Sequence, residues 1–590
     1  MSVRILLLLL SMATGVNADA TELPYQIAFA SFAPLDTDLF IADGDGSDAR
    51  PFLSHPALDS DASFSRDGRW VIFTSRRDGS SDIYRAHVDG SSLERLVDDP
   101  AFDDQAALSP DGKTLAFVST RAGQADVWLM DIATHKSRNL TQHPGGDFRP
   151  AWSPDGRWIA FTTDRDTTKP RLPANDFFPR QTIGIYLVRA DGRDLHAVAR
   201  DLLYAGSPVW SGDGKRLAFY SAQLQDIADI TGVRLSRGTT QIEVLDLGSS
   251  KRTTLTSAKG EKWSPQWVGE KRLAFVSGGP EGGVEWHDTG SGVRGEFRNP
   301  GWSHDGKRMI FQREVGAGWP PHQSWPSLDP RFQLLRAGIF NSFSPTGDRR
   351  LSNDRTAGMH HNSILVMNAE GTSQSTLFTS AQKSALAPDW APKGDWIAFA
   401  LGEFFPNLHG DVLADIVVLP AAGGEPRVLT DGRSNYGFPS WSPDAAQIVY
   451  RESSKVRHAL RICDVATRAD RTLIEGPAHY NFPAWSPTED VIAFISDHEG
   501  DYEIYSIRPD GSKLTRLTRS PGNEGHLAWS RDGAWIAFSS ARGGYKDEVV
   551  LHPANPQAYG DIYVMRADGT DQTQLTDDQF EEATPGWRPR

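Results

Sequence analysis

Along most of the chain, apolar residues come in short runs such as Trp158-Ile159-Ala160-Phe161, or Ile83-Tyr84 after Asp82, separated by Pro-Asp-Gly or Asp-Gly turns. Apolar runs of that length between turn signals predict β-strands. The order of strands and turns repeats. An aromatic or apolar anchor followed by Ser-Pro-Asp-Gly or a variant, an apolar strand, a turn, a second strand ending in Tyr or Trp, and a further Asp-Gly turn begins at Phe64, Leu108, Trp152, Trp210, Trp267, Trp302, Phe343, Trp390, Trp441, Trp485, Trp529 and Trp587. Steps of 44 residues separate Phe64, Leu108 and Trp152, and again Trp441, Trp485 and Trp529, while longer steps mark insertions. Each unit predicts a four-stranded antiparallel meander. A sheet that small is unstable alone and must be covered by its neighbours, which is the logic of a propeller blade.

The repeat changes how individual residues read. Nine of the 18 Trp residues fall on anchor positions, so their abundance predicts core between blades rather than a sugar-stacking surface. The Arg and Asp that recur in Arg77-Asp78-Gly79-Ser80-Ser81-Asp82 and Arg121-Ala122-Gly123-Gln124-Ala125-Asp126 predict ion pairs or turn bonds within a blade.

The string Trp152-Ser153-Pro154-Asp155-Gly156-Arg157-Trp158-Ile159-Ala160-Phe161 resembles the first half of the PD40, or WD40-like, repeat of TolB-type propellers, and Asp561-Ile562-Tyr563-Val564-Met565-Arg566-Ala567-Asp568-Gly569 resembles its second half. Twelve such units in register cover nearly the whole chain. The resemblance implies an all-β fold: tandem propellers of four-stranded antiparallel blades, two six-bladed rings, with seven plus five as the other division. The expected domains are residues 21–300 and 301–590, the C-terminal strand at Trp587 closing the first blade. TolB itself resembles an α/β domain followed by a propeller. Here repeats begin close to the start, with no room for that domain, so only the fold and a tendency to bind protein partners carry over.

Composition and charge narrow the setting. Of 590 residues, 39% are hydrophobic, as in a packed globular chain. Arg4, the apolar run Ile5 to Leu10 and the small residues ending in Ala18-Asp19-Ala20 predict a secretory signal peptide over residues 1–20. No segment is apolar enough for a transmembrane helix, and the expected location is the periplasm or outside the cell. The lone Cys463 leaves no internal disulfide, so the core must supply the stability. A net charge of -15 without a basic run disfavours nucleic acid and anionic membranes as partners.

A propeller keeps its candidate chemistry at the channel mouth, beside the innermost strands. In the first half these positions hold Asp61, Asp104, Asp147 and Arg149, an acidic ring. In the second half they hold Asn435, Tyr436, His479, Tyr480, Asn481 and His526, groups suited to a polar ligand such as a sugar or peptide. Solvated loop ends are the plain alternative. Three stretches interrupt the repeat and suit either a channel roof or domain packing: Thr167 to Gln181, Gly318 to Phe332, and Arg542 to Tyr559 with Lys546, Asp547, Glu548, His552 and Tyr559. His360 and His361 are the candidates for a divalent metal, the one cofactor considered, although adjacent strand residues face opposite sides. Related propellers, the oligogalacturonate lyases, resemble a precedent for such a site. The sequence has no Gly-x-Ser-x-Gly elbow, His-Glu-x-x-His, Walker A loop or dinucleotide fingerprint, and Gly278 to Gly283 reads as a hairpin loop. The expected function is a non-enzymatic propeller binding a protein or an envelope glycan or peptide at the channel mouth. The alternative is a polysaccharide lyase or hydrolase with a His-based metal or general base.

Overall fold

The computed structural model describes residues 24–34, 36–167, 182–202, 204–222, 239–269, 272–278, 282–315, 323–353, 363–402, 413–454, 457–548 and 560–589. Outside them lie the leader 1–20, His360, His361, His552, Tyr559, most of the Thr167 to Gln181 stretch, and Trp319 and His322. Among the described residues no helix occurs, and so none is long and apolar enough to cross a membrane. The strands form twelve four-stranded blades in two closed rings of six.

Blades of the first ring span 59–95, 103–139, 147–199, 204–254 and 262–294. Its sixth is composite: Arg298–Trp302 and Arg308–Glu314 pair with Thr37–Asp43 and Arg50–Phe52. Blades of the second ring span 339–379, 384–428, 435–476, 480–516 and 524–574. Its sixth is composite as well. Glu582–Arg588 is innermost and antiparallel to Tyr25–Ser31, which runs parallel to Phe332–Ala337, and Gln323–Trp325 is outermost.

A cut at residue 300 therefore does not follow the pairing. Residues 298–314 belong with strands 37–52, and strand 25–31 belongs with the far end of the chain. The physical reason is edge coverage: 298–314 supplies only two strands of a blade and 582–588 only one, and the N-terminal strands fill both gaps.

Within a blade, the Ser-Pro-Asp-Gly turn holds itself together. Ser153 Oγ donates to Asp155 Oδ1 at 2.6 Å and accepts the Trp158 amide at 2.9 Å, while Gly156 takes φ 69°, where a Cβ would be strained. The anchors then tie blade to blade. Trp152, Trp210, Trp441, Trp529 and Trp587 each donate Nε1 to the carbonyl just before the preceding blade's anchor, at Ala107, Ala151, Asp389, Ala484 and Ala528. The recurrent Arg closes each of four blades on itself: Arg77 pairs with Asp59, Arg121 with Asp103, Arg165 with Asp147 and Arg542 with Glu524, each Arg also lying over aromatic rings of its own blade.

Asp389 bridges three blades, accepting Ser342 Oγ at 3.3 Å and the Trp441 amide at 3.1 Å. Burial pushes its carboxyl up to about 6, against the ordinary 3.8. The folded state thus keeps a proton that the unfolded chain gives up, so this contribution is complete below about pH 4 and is lost as pH rises through about 6. Asp389→Asn keeps an acceptor and removes the titration. Relative to the parent it should gain about 2 kcal/mol between pH 4 and pH 7, read from urea midpoints; parallel profiles would show that Asp389 does not titrate in this range.

Trp587 packs edge-on against Tyr25 and Phe332 from the two other segments of the composite blade. Trp587→Ala should cost about 3–5 kcal/mol by cavity formation. A loss below about 1 kcal/mol in urea unfolding would mean that this anchor does not hold the second ring closed.

Candidate functional site

Every innermost strand carries one residue with a left-handed backbone, and it always lies three positions before the anchor. In the first ring these are Asp61, Gln105, Arg149, Ser207, Ser264 and Asn299; in the second they are Phe340, Ala387, Phe438, Phe482, His526 and Thr584, all with φ between 45° and 57°. The pairing register slips at the same place in blade after blade, a β-bulge that turns the side chain into the axis. Holding a non-glycine residue there costs energy, and the ring of neighbours over-determines it. The bulge gives each ring a layer of six axial side chains, one polar and charged, the other largely aromatic.

In the first ring the layer is completed from the other ring. The stretch after Trp535–Ser540 reaches across, and Lys546, Asp547 and Glu548 are at most 2% exposed. Arg149 is clamped between Asp61 and Asp547, donating Nη1 to Asp61 Oδ1, Nη2 to Asp547 Oδ2 and Nε to Asp547 Oδ1 at 2.8 Å. Burial alone would lower the guanidinium, but the charges of Asp547 and Asp61 outweigh it and hold it firmly protonated. Asn299 Nδ2 donates to Asp61 Oδ1 at 2.8 Å, and Gln105 bridges the Arg149 amide and the Lys546 carbonyl. Glu548 accepts four bonds: Thr162 Oγ1 at 2.5 Å, the Ser207 amide at 2.6 Å, Ser207 Oγ at 2.7 Å and Tyr220 OH at 2.8 Å. Burial, then the Asp547 charge, raises its carboxyl; the Arg149 charge and the Thr162 and Ser207 hydrogen bonds act in the opposite sense. Lys546 Nζ turns back to Asp561 and Asp577.

In the second ring the same layer is a plug of rings. Phe438 and His526 each lie 4.3 Å from Phe482 between centroids, and Phe340 closes the cycle at 6.0 Å from Phe438 and 5.9 Å from His526. Small Ala387 and Thr584 leave room for them. Burial lowers His526 to about 3, so the imidazole is neutral, with Nδ1 3.4 Å from Ser539 Oγ. Beside the plug, Arg451 lies over Phe438 and donates to Asn435 and Asn481. Nearby, Asp497 holds His479 at both its amide and Nδ1, at 2.7 and 2.9 Å. His458 lies 4.3 Å from His479 and is pushed down to about 4 by burial and by that neighbour.

Beyond each plug an open mouth remains, lined by the Ser-Pro turns: a cavity of about 390 Å³ in the first ring and about 230 Å³ in the second. Of the residues expected at a mouth, Asp61 and Arg149 line the first cavity and His526 the second. Asp104 is fully buried behind Asp61, accepting Thr74 Oγ1 at 2.5 Å, and burial with the Asp61 charge raises it well above the usual range. Asp147 faces Arg165 in the repeated ion pair. Tyr436 and Tyr480 pack between blades, and Asn435, Asn481 and His479 form the Arg451 and Asp497 group just described. Sequence reasoning missed Gln105, Thr162, Ser207, Tyr220, Asn299, Phe340, Phe438, Phe482, Arg451, His458 and Asp497. Stepping back three residues from each anchor would have found Gln105, Ser207, Asn299, Phe340, Phe438 and Phe482. Among the described residues no group of three or more His, Cys, Asp or Glu is placed to hold a metal ion.

Comparison with known proteins agrees with this architecture. Residues 81–289 match the family described as the Tricorn protease N-terminal beta propeller domain, and residues 412–555 match the TolB beta propeller domain. A protein TolB homolog of Chlorobium luteolum is 30% identical over 129 residues, 22% of this chain and 29% of that one. A Tol-Pal system protein TolB of Geobacter sulfurreducens is 37% identical over 92 residues, 16% of this chain and 18% of that one. The chain thus spans less than a third of the length of these curated relatives. The crystal structure of the tricorn protease aligns at 13% identity over 89% of this chain and 62% of its own, with a TM-score of 0.37. With twelve four-stranded blades closed into two rings and residues 412–555 matching the TolB beta propeller domain, the chain is similar to the TolB-like PD40 β-propeller proteins.

Proposed function

We propose that this protein is a binding module of the cell envelope, acting in the periplasm or outside the cell, which holds an extended segment of a protein partner in a propeller mouth. One observation carries the reading: each axis is blocked one layer in, yet each mouth stays open. The charged groups at the first floor are engaged with one another, and the second floor is aromatic with a neutral His526. Such mouths offer shape and hydrogen bonds rather than a reacting constellation. Similarity to relatives named for the Tol-Pal system and the leader-like first twenty residues support the same setting. An envelope glycan or peptide is the other class of occupant.

The test is photo-crosslinking in the native host. A benzophenone side chain at exposed Arg66 or His304 at the first mouth, or at exposed Arg531 at the second, should trap a protein adduct. The same group at exposed Leu195 should not. Equal labelling at all four positions, or none at the mouths, would overturn the reading.

The His479 group favours a second reading, a lyase or hydrolase. Asp497 orients His479 through Nδ1, leaving Nε2 without a hydrogen-bond partner among the described residues, the arrangement of a general base. His479→Gln should then abolish turnover of envelope polysaccharide or peptide fragments while leaving the thermal midpoint within about 1 °C, a shift of about 1 kcal/mol for a chain of this size. Unchanged turnover would remove His479 from any such role.

A further inference from the structure

The segment in the axis of the first ring is bound as a ligand would be. Its two carboxylates and one carbonyl meet seven hydrogen bonds, all from side chains or amides of the first ring. Arg149 meets Asp547 in a two-pronged contact, the geometry in which a guanidinium recognises a carboxylate. Thr162, Ser207 and Tyr220 converge on Glu548 from two neighbouring blades.

The seat is also shaped for its occupant. A Cβ on Gly206 would stand 2.4 Å from Tyr220 OH and 2.8 Å from the Glu548 carboxyl carbon, and one on Gly146 would stand 3.0 Å from the Tyr545 carbonyl. Gly206 lies within a strand and Gly146 just before one, and a glycine in a strand marks a close approach by another chain segment. The occupant departs from the repeat. Successive anchors in this part of the chain are 44 residues apart, but Trp529 and Trp587 are 58 apart, and the extra length carries Lys546, Asp547 and Glu548.

We propose that the axis of the first ring is a receptor for an acidic Asp-Glu segment, filled here in cis by Asp547 and Glu548, and that an acidic stretch of a partner protein takes the same seat when these two residues withdraw. The inference does not depend on the mouth reading, because it concerns the opposite face of the axial layer. Withdrawal need not separate the rings. Lys546 stays paired to Asp561 and Asp577, and the rings keep Arg76 on Asp578 and the Phe102 amide and Thr120 on Asp577.

The probe is the acetylated, amidated peptide Tyr-Lys-Asp-Glu-Val-Val, the sequence of residues 545–550, labelled for fluorescence anisotropy. It should bind the full-length Asp547→Ala/Glu548→Ala protein and bind the parent at least about tenfold more weakly, since a tethered competitor acts at an effective concentration of about millimolar. The neutral peptide Tyr-Lys-Asn-Gln-Val-Val should not bind. Tyr220→Phe or Gly206→Ala added to the double variant should weaken binding about tenfold. A folded double variant that ignores the acidic peptide, or takes the neutral one equally well, overturns the proposal. If the double variant does not fold, hydrogen exchange on the parent decides: about 1 mM acidic peptide should speed exchange across 541–548, and unchanged exchange overturns the proposal.

Discussion

Everything in this molecule depends on covering both faces of a four-stranded sheet. A blade has apolar residues on each side, so it is stable only between two others, and a row of blades is stable only when its ends meet. Neither ring can meet itself with contiguous chain. The first fifty or so residues settle this by division: strand 25–31 goes to the second ring, and strands 37–43 and 50–52 go to the first. Two short crossings then join the rings, one after Ser31 and one after Glu314. The rings are separate in architecture and inseparable in topology.

The axial layer shows two solutions to one packing problem. Six bulged strands aim six side chains at a common axis, where they must fill space and satisfy their polar atoms. The second ring solves it with three phenylalanines and a neutral histidine, needing nothing from outside. The first ring places a guanidinium and a carboxylate there, and a buried charge is tolerable only with partners. One partner of Arg149 is its own ring's Asp61; the other is Asp547 from the neighbouring ring. A polar core in one ring thus creates a dependence on the other that an apolar core would not.

The fold was legible because the repeat writes it twelve times. Each Ser-Pro-Asp-Gly turn and each anchor carries its own local physics, and their spacing alone fixes blades and order. The recurring Asp and Arg were legible for the same reason, although Asp147, judged by its place near a strand start, belongs to that structural set. What could not be read is what depends on distant chain: that Arg149 meets Asp547, nearly four hundred residues away, or that His479 meets Asp497 while Gly146 meets Asp164 only through its amide at the same spacing of 18. Axial residues fell between these cases. Their offset of three from the anchor is constant, but only the bulge explains why a residue of a regular strand should face the axis.

The division of the N-terminal strands also orders the protein's assembly in time. Strand 25–31 is made before any other described strand, yet its antiparallel partner, 582–588, is made last. A chain emerging from its N-terminus can complete all six blades of the first ring while that strand waits for its parallel partner 332–337, about three hundred residues on, and its other edge stays open for more than five hundred. Assembly is therefore not vectorial, and the interval leaves an exposed strand edge that other chains could capture, so a holding chaperone would act on this segment before any other.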